Sequence, residues 1–148
     1  MRLYKQMQDK IREKVRKKVL FVCTNNSARS QMAEGLLREL CSSSCTASSA
    51  GIQPTFISPY AISVMKEIGI DISTQRSKSI DEIAGQEFDC VITLCESARE
   101  SCPVFPGAKK TLHKSFPDPK RTEGSEEEIM KSFRQVREEI TEWIRETF

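Results

Sequence analysis

Apolar positions along the chain follow two alternating rhythms. Val19 to Val22 is an unbroken β-branched, aliphatic and aromatic run, the pattern of a strand buried on both faces. After a polar interval, Met32, Ala33, Leu36, Leu37 and Leu40 recur at helical spacing within Ser30 to Leu40. Thr46 to Ala50 is a short strand candidate ending at Gly51. Ser58 and Pro59 suit the N-cap and first position of a second helix, which Gly69 ends just past Ile68. Ser79 and Glu82 make a capping box for a short helix over Ser79 to Ala84. Phe88 to Leu94 is a second strong strand, and Lys110 to His113 is a further one. Ser125 and Glu128 make another capping box, opening a final helix with Ile129, Phe133, Val136, Ile140 and Trp143 on one face. This alternation predicts an α/β fold, a parallel sheet with helices on both faces. Ligands of such sheets sit at the carboxyl ends of the strands, where Cys23 and Cys95 each follow a strong strand.

Residues 3 to 17 stand apart from that alternation. They read as a basic amphipathic helix with Leu3, Met7, Ile11 and Val15 at steps of four. Such a stripe docks on the body of the domain or on a second subunit, or attaches to a membrane surface or nucleic acid. Charge supports the separation. Net charge is only +2, yet residues 1 to 18 hold eight Lys or Arg against Asp9 and Glu13, so the rest of the chain is net acidic. Beyond this appendage no nucleic-acid-binding patch is visible. The organisation expected is therefore a helical extension over 1–17 and a single α/β catalytic domain over 18–148, for which 148 residues provide one core.

Composition narrows the class. An apolar share of 38% and a charged share of 30% fit a soluble globular protein, and the longest apolar runs are far too short to cross a bilayer. The charged N-terminus has no secretory core, so a cytoplasmic location is the expectation. Six cysteines then read as buried thiols or redox groups rather than as a disulfide framework. One histidine, His113, and no C-x-x-C pair argue against zinc, and no metal site is expected.

The polar interval carries the chemistry. In "CTNNSARS", Cys23 to Ser30, a thiol and a guanidinium bound a turn between a strong strand and a strong helix. Backbone N–H groups of Thr24, Asn25, Asn26, Ser27, Ala28, Arg29 and Ser30, with those of the first helical turn, can converge on a tetrahedral oxyanion. Arg29 adds a planar fork that matches two of its oxygens. A cysteine in that field has its thiolate stabilised, and Ser30 can hydrogen-bond the sulfur, making Cys23 a nucleophile. Taken alone, the spacing also fits a small buried thiol ending a strand and a solvated arginine.

The loop resembles the phosphate-binding loop of the low-molecular-weight protein tyrosine phosphatase superfamily. Within that superfamily "CTNNSARSQMAEG" is most similar to the thioredoxin-coupled arsenate reductases. The resemblance covers about residues 18 to 145 and includes "SAGI" at Ser49 to Ile52 and "GIDIS" at Gly69 to Ser73. It implies a four-stranded parallel sheet flanked by helices, low-molecular-weight phosphatase-like, and no cofactor.

A phosphatase of this class needs Cys23, Arg29 and a general acid, whereas a reductase needs further thiols to supply two electrons. "VITLCESARESCPVFPG" offers Cys95 and Cys102, seven residues apart, the second followed by Pro103 as in the reductases. The resemblance then implies a cascade. Cys23 attacks arsenate, Cys95 attacks Cys23 and expels arsenite, Cys102 attacks Cys95, and thioredoxin reduces the Cys95–Cys102 disulfide. Phosphate and sulfate are the expected competing oxyanions. For cysteines this far apart to meet, Ala98 to Pro103 must loop out or unwind.

Asp118, in "SFPDP", matches the acid position of both branches. After Asp118 and Pro119 comes Lys120, where the phosphatases usually carry an aromatic residue. Two further differences stand out. Asn25 replaces a common glycine and tolerates a left-handed backbone, so the cradle should survive. Arg76 and Lys78 occupy a segment that in some relatives binds potassium, so no potassium site is expected and the cations should hold nearby acceptors. Cys90 reads as core, and Cys41 and Cys45 as packing thiols or a redox pair. The alternatives are a tyrosine phosphatase and a phosphocysteine carrier or anion-binding protein.

Overall fold

The computed structural model describes residues 1–148, apart from the side chains of residues 12–15. Ten elements follow one another: α1 (Arg2–Val15), β1 (Lys17–Cys23), α2 (Arg29–Leu40), β2 (Cys45–Gly51), α3 (Pro59–Lys66), α4 (Ile80–Ile83), β3 (Cys90–Thr93), α5 (Glu96–Ser101), β4 (Lys110–His113) and α6 (Glu126–Thr147), with a 3-10 turn at Pro119–Arg121. The strands form one four-stranded sheet in the order β2-β1-β3-β4, and all neighbours run parallel.

The central strands explain the unbroken apolar runs. Val19 to Val22 and Cys90 to Thr93 are buried throughout, because helices cover both faces there. Leu36, Leu37 and Met32 of α2 meet Phe133, Val136 and Ile140 of α6 in the same core. α3 joins that layer through Arg137, whose Nη1 donates to Val64 O at 2.7 Å and to Glu67 Oε1 at 2.9 Å. α4 lies against β2, and α5 against β1 and β3.

Most local signals act where the sequence places them. Ser79 and Glu82 form the reciprocal capping box, whereas Ser125 and Glu128 make only half of theirs, Ser125 Oγ accepting from the Glu128 backbone N–H at 3.2 Å. Gly69, at φ 79, closes α3 with bonds from its own N–H to Lys66 O and from the Ile70 N–H to Met65 O. Two points differ. The segment after Cys95, to which the sequence pattern assigned no element, forms the helix α5, with Cys95 and Cys102 as its caps. The stripe on α1 is not docked on the domain: Leu3, Met7 and Ile11 are 75%, 61% and 58% exposed, and the Val15 side chain lies outside the described residues. Among the described residues, no helix is long and apolar enough to cross a membrane.

Candidate active site

Topology brings the chemistry together. From β1 the chain crosses to β2 on one side, while β3, on the other side of β1, leads on to β4. Connections therefore diverge between β1 and β3, and a crevice opens at the carboxyl ends of these two strands. The register sets Val22 beside Thr93, and the Leu94 N–H donates to Val22 O at 2.9 Å. Cys95 thus emerges level with the loop after β1, where its Sγ lies 3.3 Å from Thr24 Oγ1. Cys23 and Cys95 are buried, at 2% and 8% exposure.

The loop from Cys23 to Arg29 is held by its carbonyls. Thr24 O accepts from Gln53 N, Asn25 O from Thr55 N and Ser77 Oγ, Asn26 O from Gln31 Nε2, and Ser27 O from Ser58 N. Carbonyls turned outward leave the amide N–H groups for the inside of the turn, at the N-terminus of α2. Gly51 makes this possible by close approach. A Cβ there would sit 2.8 Å from both Asn26 N and Thr24 O.

The left-handed residue is Asn26, at φ 49, and not Asn25. Loop closure places it. Asn26 Oδ1 accepts from Lys78 N at 2.9 Å, and its Nδ2 donates to Ser30 Oγ at 2.8 Å and Ser49 Oγ at 2.9 Å. Ser49 in turn donates to Glu34 Oε1 at 2.7 Å. Burial pushes the Glu34 carboxyl up, with the Ser49 hydrogen bond opposing. Because Ser30 Oγ already accepts from Asn26, its single proton is free for Cys23 Sγ, 2.8 Å away. A thiolate at Cys23 would therefore find a donor in place. As expected, the neighbouring cations hold acceptors: Arg76 pairs with Glu82 at 3.1 Å and Lys78 lies 4.0 Å from Glu34.

Arg29, nearly buried, donates through Nη1 to Phe116 O at 3.3 Å and sets Nη2 3.6 Å from Asp118 Oδ2. Asp118 caps the 3-10 turn by accepting from Lys120 N at 3.0 Å, and Lys120 Nζ donates to Asn25 Oδ1 at 3.2 Å. Cys23, Asn25, Ser27, Ala28, Arg29, Asp118 and Lys120 line one small concavity. A thiol, a guanidinium and a carboxyl thus line the same small concavity.

Cys102 stands apart. At about 1.5 Å per residue, α5 separates its two cap cysteines by about 10 Å. Burial pushes the Cys102 thiol up. Glu96 at the start of α5 is 3.0 Å from His113 Nε2, whose Nδ1 is 2.8 Å from Thr93 Oγ1. The remaining thiols lie elsewhere. Cys90 is buried in β3, while Cys45 opens β2 opposite Lys17, at the strand starts and so at the far edge of the sheet from the loop. Among the described residues, no cluster of three His, Cys, Asp or Glu could hold a metal ion.

Sequence reasoning did not find the Thr24–Cys95 contact, the Ser49–Glu34 support or the Lys120 bridge. Thr24, Asn25, Glu34, Ser49 and Cys95 all lay within quoted motifs, but nothing in the sequence pairs them with one another or with Lys120.

Residues 18–148 match the low molecular weight phosphotyrosine protein phosphatase family. The chain is 45% identical over 130 residues to an arsenate reductase of Halalkalibacterium halodurans, covering 88% of this chain and 94% of that protein. It is 43% identical over 128 residues to an arsenate reductase of Bacillus subtilis, covering 86% and 92%. Among solved structures, an arsenate reductase in the phosphate binding state superposes with a TM-score of 0.77 at 34% identity, over 88% of this chain and 95% of that one.

Proposed function

This chain belongs to the low molecular weight phosphotyrosine protein phosphatase family, and from that premise we propose that it is an arsenate reductase acting through a thiol cascade. Residues 18–148 are the catalytic domain and residues 1–17 an N-terminal extension that carries α1, with Lys17 already pairing in β1. Arsenate binds with its oxygens on the loop amides from Thr24 to Ser30 and on the Arg29 fork. The Cys23 thiolate attacks arsenic, and the leaving oxygen takes a proton from Asp118 and departs as water.

Cys95 then attacks Cys23 Sγ. The S–As bond breaks with its electron pair passing to arsenic, which falls from pentavalent to trivalent and leaves as arsenite. Cys102 attacks Cys95 Sγ, freeing the Cys23 thiolate and moving the disulfide to Cys95–Cys102. Thioredoxin, as a dithiol, returns two electrons. Phosphate and sulfate compete for the same cradle, and a cytoplasmic, reducing setting suits an enzyme that must regain its thiols.

The observation that carries this reading is Cys95 Sγ at 3.3 Å from Thr24 Oγ1, a second thiol set against the residue after the nucleophile. A phosphatase or a phosphocysteine carrier has no use for it. The test follows arsenate-dependent NADPH oxidation through thioredoxin reductase and thioredoxin, beside aryl-phosphate hydrolysis. Cys95→Ser and Cys102→Ser should abolish reductase turnover and leave any hydrolysis in place. Full turnover in either variant sinks the cascade, and hydrolysis without any arsenate reduction restores the phosphatase reading.

A further inference from the structure

A second cation stands at the mouth of the loop. Lys120 is the middle residue of the 3-10 turn that Asp118 caps. The backbone N–H donates to Asp118 Oδ1 at 3.0 Å, while Nζ reaches across to Asn25 Oδ1 at 3.2 Å, 95 residues away in sequence. Asn25 Oδ1 is a neutral acceptor on a half-buried residue, so releasing it costs less than a charged partner returns. Asn25 also stays in place without the lysine, because its Nδ2 is anchored on Gln53 O at 2.9 Å.

Charge balance gives that release a purpose. Arsenate and phosphate are largely dianions near neutral pH, and the Arg29 fork is already shared with Phe116 O and Asp118 Oδ2. One partly offset guanidinium leaves such an anion short of positive charge. Lys120 lines the same concavity as Cys23, Ser27 and Arg29, on a flexible stem whose point charge can follow an oxygen.

We propose that Lys120 is a substrate-binding residue of this site, its ammonium turning from Asn25 to an oxygen of the bound dianion and supplying the positive charge that Arg29 alone does not. The inference rests on the reductase reading only for naming arsenate as the anion. Cys23 and Asp118 still perform the chemistry, so the effect falls on affinity.

Isothermal titration with inorganic phosphate and with arsenate tests this on Lys120→Gln, Lys120→Arg and, for net charge alone, Lys109→Gln beside Asp89 at the opposite edge of the sheet. Side-chain replacement leaves the backbone bond to Asp118 intact, so the turn should keep its place. At low salt, Lys120→Gln should weaken both anions about tenfold and Lys120→Arg far less. The gap should narrow as salt rises, and the arsenate KM should rise in step while kcat holds. Unchanged affinity in Lys120→Gln overturns the proposal, as does an equal loss in Lys109→Gln or a fall in kcat with KM unmoved. Lysine-dependent phosphate binding in a protein that never reduces arsenate supports this inference and removes the reductase reading.

Discussion

If the cascade operates, α5 must open once in every turnover. A disulfide needs Cα atoms roughly 4.4–6.8 Å apart. Intact, the helix keeps Cys95 and Cys102 about 10 Å apart. Little holds it. It has six residues, far below the length at which a helix is stable alone, and Cys95 provides no side-chain cap. Its four amides from Arg99 to Cys102 bond back along the helix, Arg99 N to Cys95 O at 3.0 Å and Cys102 N to Ala98 O at 2.8 Å at its ends, each contributing about 1 kcal/mol net. Ala98 alone among Glu96–Ser101 is buried, and its methyl adds about 0.8 kcal/mol.

Opening then costs about 5 kcal/mol, and the reduced protein should hold the open form at roughly one part in several thousand. Hydrogen exchange read by mass spectrometry gives the check. In the reduced protein the amides of Arg99 to Cys102 should be protected roughly a thousandfold or more. In protein oxidised to the Cys95–Cys102 disulfide that protection should vanish, with β1 and α6 unchanged. Glu96→Ala, which removes the partner of His113 and Arg99, should speed exchange about two- to fivefold. Equal protection of the segment in both redox states would refute the reasoning.

Three further outcomes follow from the geometry. Ser30→Ala removes the donor 2.8 Å from Cys23 Sγ and should slow iodoacetamide alkylation of Cys23 at neutral pH about tenfold; an unchanged rate removes the hydroxyl from the account. Gly51→Ala drives a Cβ to within 2.8 Å of backbone that cannot yield, so melting should fall by roughly 5–10 °C and arsenate turnover with it, whereas Gly85→Ala, with open space around it, should do neither. Hydrogen bonds from Arg134, then from Arg137, hold the Glu67 carboxyl down to about 2. Because that value lies below the unfolded one of about 4.3, its contribution is complete above pH 4.3 and is lost as pH falls towards 2. Urea midpoints from pH 6 to pH 2 should therefore fall less steeply in Glu67→Gln than in the parent, and parallel curves would count against it.

The chain's own pattern determines the strands, the long helices and the oxyanion loop, because each is written in neighbouring residues. Val19 to Val22 must be buried on both faces, Ser79 and Glu82 cap each other three residues apart, and Cys23 and Arg29 bound one turn. α5 left no such trace, since one buried residue in six makes no period. Periodicity on α1 likewise shows an amphipathic helix but not what covers Leu3, Met7 and Ile11. The left-handed residue was also beyond reach. Closing the loop onto Lys78 and Gly51 turns the backbone at Asn26, and neither partner is near in sequence.

The site itself is a product of tertiary structure. Cys95 meets Thr24 across 71 residues, Phe116 O meets Arg29 across 87, and Lys120 meets Asn25 across 95. Those distances collapse because β3 pairs with β1, so the thiol that the proposed reduction needs emerges beside the nucleophile's loop. A local pattern can name a nucleophile and its anion cradle. Which second thiol, acid and cation face it depends on strand order, and strand order is settled by how the whole sheet buries its two faces.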